Sequence, residues 1–238
     1  MGGLHVITPV RDAVDLTFET VQAVLASQGG VVSRYTLYDD FSSPESAARL
    51  KWGAETFGYV LVRLSELTAH RPPNYLLALQ LAQQEALAQE AALCIVESDV
   101  VVQPDTLRRL FEESQRRPHC GLAAAVTVDE EGHINYPYRY ARRRQGDSFA
   151  TRRHVSFCCT VLTPEILRAF DFGKLDGGKS WYDVTVSHAS LKLGFRNYLF
   201  ADLPTLHRPH GSRPWKALKY AHPMRYYVQK WFLGRDKI

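Results

Sequence analysis

Leu93-Cys94-Ile95-Val96-Glu97-Ser98-Asp99-Val100-Val101-Val102 is an apolar strand that runs into two carboxylates one residue apart and then returns to apolar residues. A strand interior seldom carries charge unless the charge is paired or bound to a metal. In extended chain, side chains at i and i+2 point the same way, so Glu97 and Asp99 can face one ligand. In an open α/β sheet, ligands bind outside the carboxyl ends of the strands. Mg²⁺ or Mn²⁺ held by one or two carboxylates and completed by substrate phosphates is the usual chemistry of such a pair. The plainer alternative is that both acids open a loop and cap the helix starting near Pro104-Asp105-Thr106-Leu107. The triplet alone does not choose between them.

The segments around it alternate. Leu4-His5-Val6-Ile7-Thr8-Pro9-Val10 reads as a strand ended near its proline. Residues 15–27 have helical apolar spacing (Leu16, Val21, Val24, Leu25), stopped by Gly29-Gly30. Tyr35–Tyr38 is a second strand running into Asp39-Asp40. Ser42-Ser43-Pro44-Glu45-Ser46 then caps a helix to about Phe57. A strand over 59–64, a helix over 74–90, the quoted strand and a helix over 106–115 follow. Strand and helix in turn predict a parallel sheet covered on both faces.

The second half predicts strands at 122–127, 155–162 and 195–199, and helices at 164–170 and 185–193. A polar hairpin at Asp129-Glu130-Glu131-Gly132-His133 and a basic stretch from Arg139 to Arg153 lie between them.

The chain has 238 residues, 45% hydrophobic and 23% charged, with a net charge of +4. That is enough for one large domain with a sizeable core and ordinary for a folded soluble protein. Cys94, Cys120, Cys158 and Cys159 include no CxxC pair. They read as reduced core residues of an intracellular protein, not a disulfide framework or a zinc site. Met1–Val10 is too short and too soon interrupted by charge for a signal peptide, and no apolar run approaches the ~20 residues of a membrane span. The expectation is a cytoplasmic protein.

With the elements placed, several motifs fall in a familiar order, and the chain resembles the family 2 inverting glycosyltransferases of GT-A fold over almost its whole length. Ile7-Thr8-Pro9-Val10-Arg11-Asp12 resembles the opening strand and loop. Tyr38-Asp39-Asp40-Phe41-Ser42-Ser43 resembles the DDGS element, with Phe41 where glycine is usual. Glu97-Ser98-Asp99 resembles the DxD element. Trp181-Tyr182-Asp183 followed by Gly194-Phe195-Arg196 has the spacing of the ED-to-Gly helix, with Tyr182 in place of the acid and Ala189 in place of a later arginine. Asn74 is retained where an Asn/Gly pattern is usual, with Leu76 replacing the glycine. His207-Arg208-Pro209-His210-Gly211-Ser212 resembles the late histidine segment, and Arg225-Tyr226-Tyr227 with Lys230-Trp231 resembles the common tail.

The resemblance implies an α/β fold of GT-A type: a mostly parallel nucleotide-binding sheet sandwiched by helices, with a smaller mixed acceptor-side portion. It implies one glycosyltransferase domain with a nucleotide-binding half (about 1–102), an acceptor and catalytic half (about 103–212) and a basic aromatic tail (213–238). The implied reaction is transfer of a sugar from a nucleoside-diphosphate sugar to a glycan or lipid-linked acceptor hydroxyl, with inversion, in bacterial surface polysaccharide synthesis. The implied cofactor is Mn²⁺ or Mg²⁺.

A cation beside the diphosphate stabilises the charge that gathers on the leaving group. Asp99 is the expected direct ligand, with His207 or His210 completing the site, since imidazole is a competent Mn²⁺ ligand. Thr8, Pro9, Arg11, Asp39, Asp40, Glu97 and Ser98 are expected on the nucleotide. Asp39 or Asp40 can accept from a base N–H, and Glu97 can reach the ribose or the metal through water. Asp183 is the expected general base, with Trp181 and Tyr182 on the donor-sugar and acceptor side.

Each assignment has a structural alternative: Asp39 or Asp40 as helix cap, Arg11 paired with Asp12 or Asp15, Asp183 as the cap of a helix from Thr185. The Arg139–Arg153 stretch reads as a solvated insertion, or as a surface for an anionic carrier phosphate or lipid. The basic aromatic tail suits peripheral contact with the inner membrane face or packing on the core. Nucleic acid is not an expected partner. The rivals are a non-catalytic sugar-nucleotide-binding module, and a nucleotidyltransferase, against which the absence of a Gly-rich loop after Val10 counts.

Overall fold

The computed structural model describes residues 2–27, 29–178, 181–208 and 222–232. The first half alternates as β1 (Leu4–Val10), α1 (Val14–Ala26), β2 (Val32–Asp39), α2 (Pro44–Phe57), β3 (Val60–Arg63), α3 (Tyr75–Ala88) and β4 (Ala92–Val96). The second continues as β5 (Val100–Val101), α4 (Thr106–Arg116), β6 (Cys120–Val128), β7 (Ser148–Thr151), β8 (Cys159–Leu162), α5 (Pro164–Ala169), α6 (Tyr182–Lys192) and β9 (Arg196–His207). A final helix, α7, spans Pro223–Phe232.

The strands form a single sheet in the order β3-β2-β1-β4-β8-β6-β9-β5, with β7 also paired to β9. β1, β2, β3 and β4 are mutually parallel. β8 enters antiparallel between β4 and β6, and β6 and β9 are parallel again. All of β4 is buried. Leu93 and Ile95 join the core layer under α3, α5 and α6, while Cys94 and Val96 join the one under α1, α2 and α4. A strand covered on both faces has to read as a continuous apolar run, which is why its first charge marks its end.

Helix ends follow local chemistry. Ser43 caps α2 by accepting from the Ser46 N–H, Pro44 sits in the first turn, and Gly58 closes the helix at φ 79°. The caps offered for Asp39 or Asp40 are therefore not used.

Three expectations change in the second half. The strand expected from Val155 begins only at Cys159. The helix expected from Thr185 begins at Tyr182, so Asp183 lies in its first turn and is not its cap. The strand expected to end at Leu199 continues to His207, because β9 bulges. Ala125 pairs with Phe200 but Val126 with Pro204, leaving Ala201, Asp202 and Leu203 unmatched. Such a bulge bends a strand and increases its twist. The bend carries the end of β9 over the carboxyl edge of the sheet.

Candidate active site

β4 stops at Val96, and the Val100 N–H closes a turn on the Glu97 carbonyl at 3.1 Å. The chain then forms β5, which pairs antiparallel with the end of β9, Val100 opposite His207. The Arg208 N–H donates to the Asp99 carbonyl at 3.0 Å. His207 Nε2 thereby lies 3.7 Å from Asp99 Oδ2, both side chains 9% exposed. The two residues that the sequence proposed as ligands meet through backbone pairing, not through a flexible loop. Arg208 extends the anchor with ion pairs to Glu19 on α1 and to Glu130.

A residue not anticipated from sequence completes this corner. The Cys158 thiol donates to Glu97 Oε2 at 3.3 Å, and the Glu97 N–H donates to the Cys158 carbonyl at 3.0 Å. Glu97, Cys158 and His207 present one ligand atom each, all within 4.8 Å of one another. Burial pushes the Cys158 thiol well up, and the Glu97 and Asp99 charges push it further. Asn135 donates from Nδ2 to the His207 carbonyl at 3.4 Å, and its Oδ1 is buried without a partner among the described residues. Oxygen, nitrogen and sulfur donors so grouped suit a divalent ion. The signal for Cys158 is faint, since the irregular stretch from Ser156 to Cys158 has no periodicity and a buried cysteine usually means core.

Asp183 accepts from the Val184 N–H at 2.9 Å in the first turn of α6, where the helix dipole favours a negative group. The fully buried Tyr138 feels the charges of Cys158 and Asp183. The Tyr138 hydroxyl accepts from the Ser156 N–H at 2.8 Å. Its pKa is driven up first by burial and then by Cys158, with Asp183 also contributing. Cys158 and Asp183 thus each stand within electrostatic range of Tyr138. Tyr182 is buried against Tyr75, ring centroids 6.0 Å apart, and Trp181 precedes α6 half-buried.

The remaining loops leave the same sheet edge. β2, β1 and β4 are adjacent and parallel, so Asp39-Asp40, Arg11 and Glu97–Asp99 follow carboxyl ends that span about 10 Å, two strand spacings. Asp12 ties the first loop to the second: its N–H donates to Ser42 Oγ at 2.8 Å, and its Oδ1 accepts from the Ser43 N–H at 2.9 Å. That N–H holds the Asp12 carboxyl below its usual range, helped by the Ser43 and Ser46 side chains and Arg11 and opposed by desolvation. Asp12, Ala13 and Phe41 adopt left-handed backbone at φ 54°, 48° and 59°. Phe41 is in the left-handed region that favours glycine, and strain of this kind collects at ligand loops.

Placement differs among the expected nucleotide residues. Arg11 is exposed and Pro9 partly so. Thr8 is fully buried, its hydroxyl 3.0 Å from that of Tyr35, so its side chain does not face the crevice. Asp39 is 3% exposed and accepts from the Ser42 N–H at 3.0 Å. Both Asp40 oxygens accept from Asn74, from its N–H and its Nδ2, each at 2.8 Å. Ser98 is buried in the turn.

His210 lies outside the described residues, as does most of the basic aromatic tail. In α7, Met224, Tyr227 and Val228 are exposed while Tyr226 is buried. The Arg139–Arg153 stretch is ordered rather than a loose insertion: it holds a 3₁₀ turn over Arg139–Arg144 and strand β7. Arg144 lies 3.6 Å from the Phe149 ring centroid and Arg153 4.8 Å from that of Tyr140. No helix among the described residues is long and apolar enough to cross a membrane.

Solved structures of the same architecture exist. The fold is that of the GT-A glycosyltransferases. GalNAc-T7 with UDP, GalNAc and Mn²⁺ superposes with a TM-score of 0.65 at 11% identity, covering 87% of this chain and 44% of that one. The mannosyltransferase PcManGT from Pyrobaculum calidifontis, in complex with GDP-Man and Mn²⁺, gives 0.65 at 16% identity, covering 96% and 64%. The chain therefore spans less than two thirds of either neighbour. No protein-family model and no curated protein matches the sequence.

Proposed function

We propose that the protein is a metal-dependent glycosyltransferase that moves a sugar from a nucleoside-diphosphate sugar to an acceptor hydroxyl by a single inverting displacement. The observation that carries this reading is the 3.7 Å approach of His207 to Asp99 at the carboxyl edge of a GT-A sheet. Both structural neighbours hold a nucleotide or nucleotide sugar with Mn²⁺, which favours the same ligand class here.

In this mechanism Asp99 and His207 would hold the cation, with Glu97 beside them. When bound, the ion neutralises charge building on the diphosphate as the glycosidic bond breaks. Pro9, Arg11 and the Asp39–Asp40 loop receive the nucleoside. The Asp40–Asn74 clamp fixes the loop, and Asp39 holds its turn through Ser42. Asp183 accepts the proton from the acceptor hydroxyl as that oxygen attacks the anomeric carbon from the face opposite the leaving group. Trp181 and Tyr182 form the apolar wall on the acceptor and donor-sugar side. The acceptor is a glycan or glycolipid of bacterial surface polysaccharide synthesis. The exposed apolar side chains of α7 and the Arg139–Arg153 basic stretch favour peripheral contact with the inner membrane face.

The test is a thermal-shift panel of UDP, GDP, dTDP and CMP sugars with and without Mn²⁺. One nucleotide class stabilising the protein only when Mn²⁺ is present is the expected result. Equal stabilisation without metal, or none with any nucleotide, contradicts the proposal.

A further inference from the structure

Cys158 is the one described cysteine in hydrogen-bond contact with a carboxylate of the cation corner. Cys94 and Cys159 interact with each other in the core, and Cys120 lies buried near Glu165. The second cluster of possible ligands, Asp129, Glu131 and His133, is largely exposed on one hairpin and is already tied internally by the His133 N–H on Asp129 at 2.8 Å. Nothing beyond its acidity points to a ligand there.

We propose that Cys158 is a metal ligand, joining Glu97 and His207 so that the site binds Zn²⁺ and other thiophilic divalent ions more tightly than Mn²⁺. The inference rests on reading this corner as a cation site and deepens it by naming the metal class. Around a tetrahedral Zn²⁺, ligand atoms at about 2.0–2.3 Å lie roughly 3.3–3.8 Å from one another. The 3.3 Å between Cys158 Sγ and Glu97 Oε2 already meets that spacing, and all three donors lie within 4.8 Å. Three protein ligands leave a fourth position open for a phosphate oxygen or water.

A carboxylate–imidazole site already holds Zn²⁺ more tightly than Mn²⁺, and a thiolate widens that margin and selects softer ions. Ligation breaks the Cys158 S–H bond, forms a sulfur–metal bond and releases the proton to solvent, with no change of oxidation state. Zn²⁺ so bound shares His207 with the proposed Mn²⁺ site and takes up Glu97 beside it, so the two ions compete.

Titration of the full-length protein with Co²⁺ tests this directly, because only a sulfur ligand adds a sulfur-to-cobalt charge-transfer band in the near ultraviolet. The wild-type protein should show the band. Cys158→Ser should lose it, and Cys120→Ser should keep it. Zn²⁺ affinity should fall roughly tenfold or more in Cys158→Ser, with Mn²⁺ affinity changed by less than about threefold. Absence of the band in the wild type overturns the proposal whether or not the variants fold, as does its persistence in Cys158→Ser or Cys158→Ala. Mn²⁺-dependent nucleotide binding without the band sinks the thiol ligand alone. The band without metal-dependent nucleotide binding sinks the transferase reading alone.

Discussion

The two ends of the sheet treat polar side chains in opposite ways. At the amino end, His5 is fully buried, its Nε2 3.0 Å from Thr36 Oγ1, and the Glu85 carboxylate beside it is taken by Arg34 at 2.7 Å. Burial, and then the Arg34 charge, lower the His5 pKa to about 4. Glu85, 3.7 Å from the imidazole, would favour the charged ring, but Arg34 already neutralises it. The group is an ion pair and a neutral imidazole, with only the buried His5 Nδ1 lacking a partner among the described residues. At the carboxyl end, Glu97, Asp99, Cys158 and His207 bring electron-pair donors together, a set that could hold a cation. The first cluster holds a neutral ring and an ion pair inside the fold, and the second, on the reading proposed above, is a ligand site.

The largest expected effect is at the carboxyl end. Asp99→Ala should lower kcat/KM for sugar transfer by about 10³-fold, with the loss of a ligand to the ion that stabilises the leaving group. An unchanged value would erase the distinction between the two ends. Asp183→Asn should cost about 10²–10⁴-fold in kcat while nucleotide affinity, followed by calorimetry, stays the same. Normal turnover in this variant would remove Asp183 as the base.

The amino end should answer in stability instead. Because the folded-state pKa of His5 is depressed from 6.5 to about 4, the unfolded chain binds the extra proton. The stability tied to the neutral ring is complete above pH 6.5 and declines as the pH falls towards 4. Between pH 7 and 5 the loss is about 2 kcal/mol, read from urea unfolding. His5→Gln should flatten that slope. Smallest of all, Glu85→Gln should change stability by no more than about 1 kcal/mol, since both members of its ion pair are partly exposed. A larger cost would mean that this cluster carries more of the fold than its exposure suggests.

The parallel half was readable because strands covered on both faces and helices with one apolar stripe leave clear periodicities, as at Leu93–Val96 and in α1. Asp99 and His207 were singled out by residue type and motif, but nothing in the sequence says how they meet. Their meeting depends on the unmatched Ala201, Asp202 and Leu203 and on the two-residue strand β5, features too short to leave a pattern. Thr8 matched its motif yet turns inward, because strand alternation places its side chain on the same face as Val6 and Val10. Asp40 has the expected acidity and position, but its oxygens hold Asn74. Cys158 was read as core, and burial alone supports that. Only the tertiary approach of Glu97 makes it a candidate ligand.

Electron paramagnetic resonance of Mn²⁺ tests the central claim most directly, because the free ion has a signal that binding broadens away. When wild-type protein is added to Mn²⁺ and the nucleoside diphosphate of the donor, the free-ion signal should fall below the level the nucleotide sets alone, to a stoichiometric end point; with Asp99→Ala it should stay at that level. An undiminished signal in the wild type, or the same fall in Asp99→Ala, would contradict a cation held at the Glu97–Asp99–His207 edge.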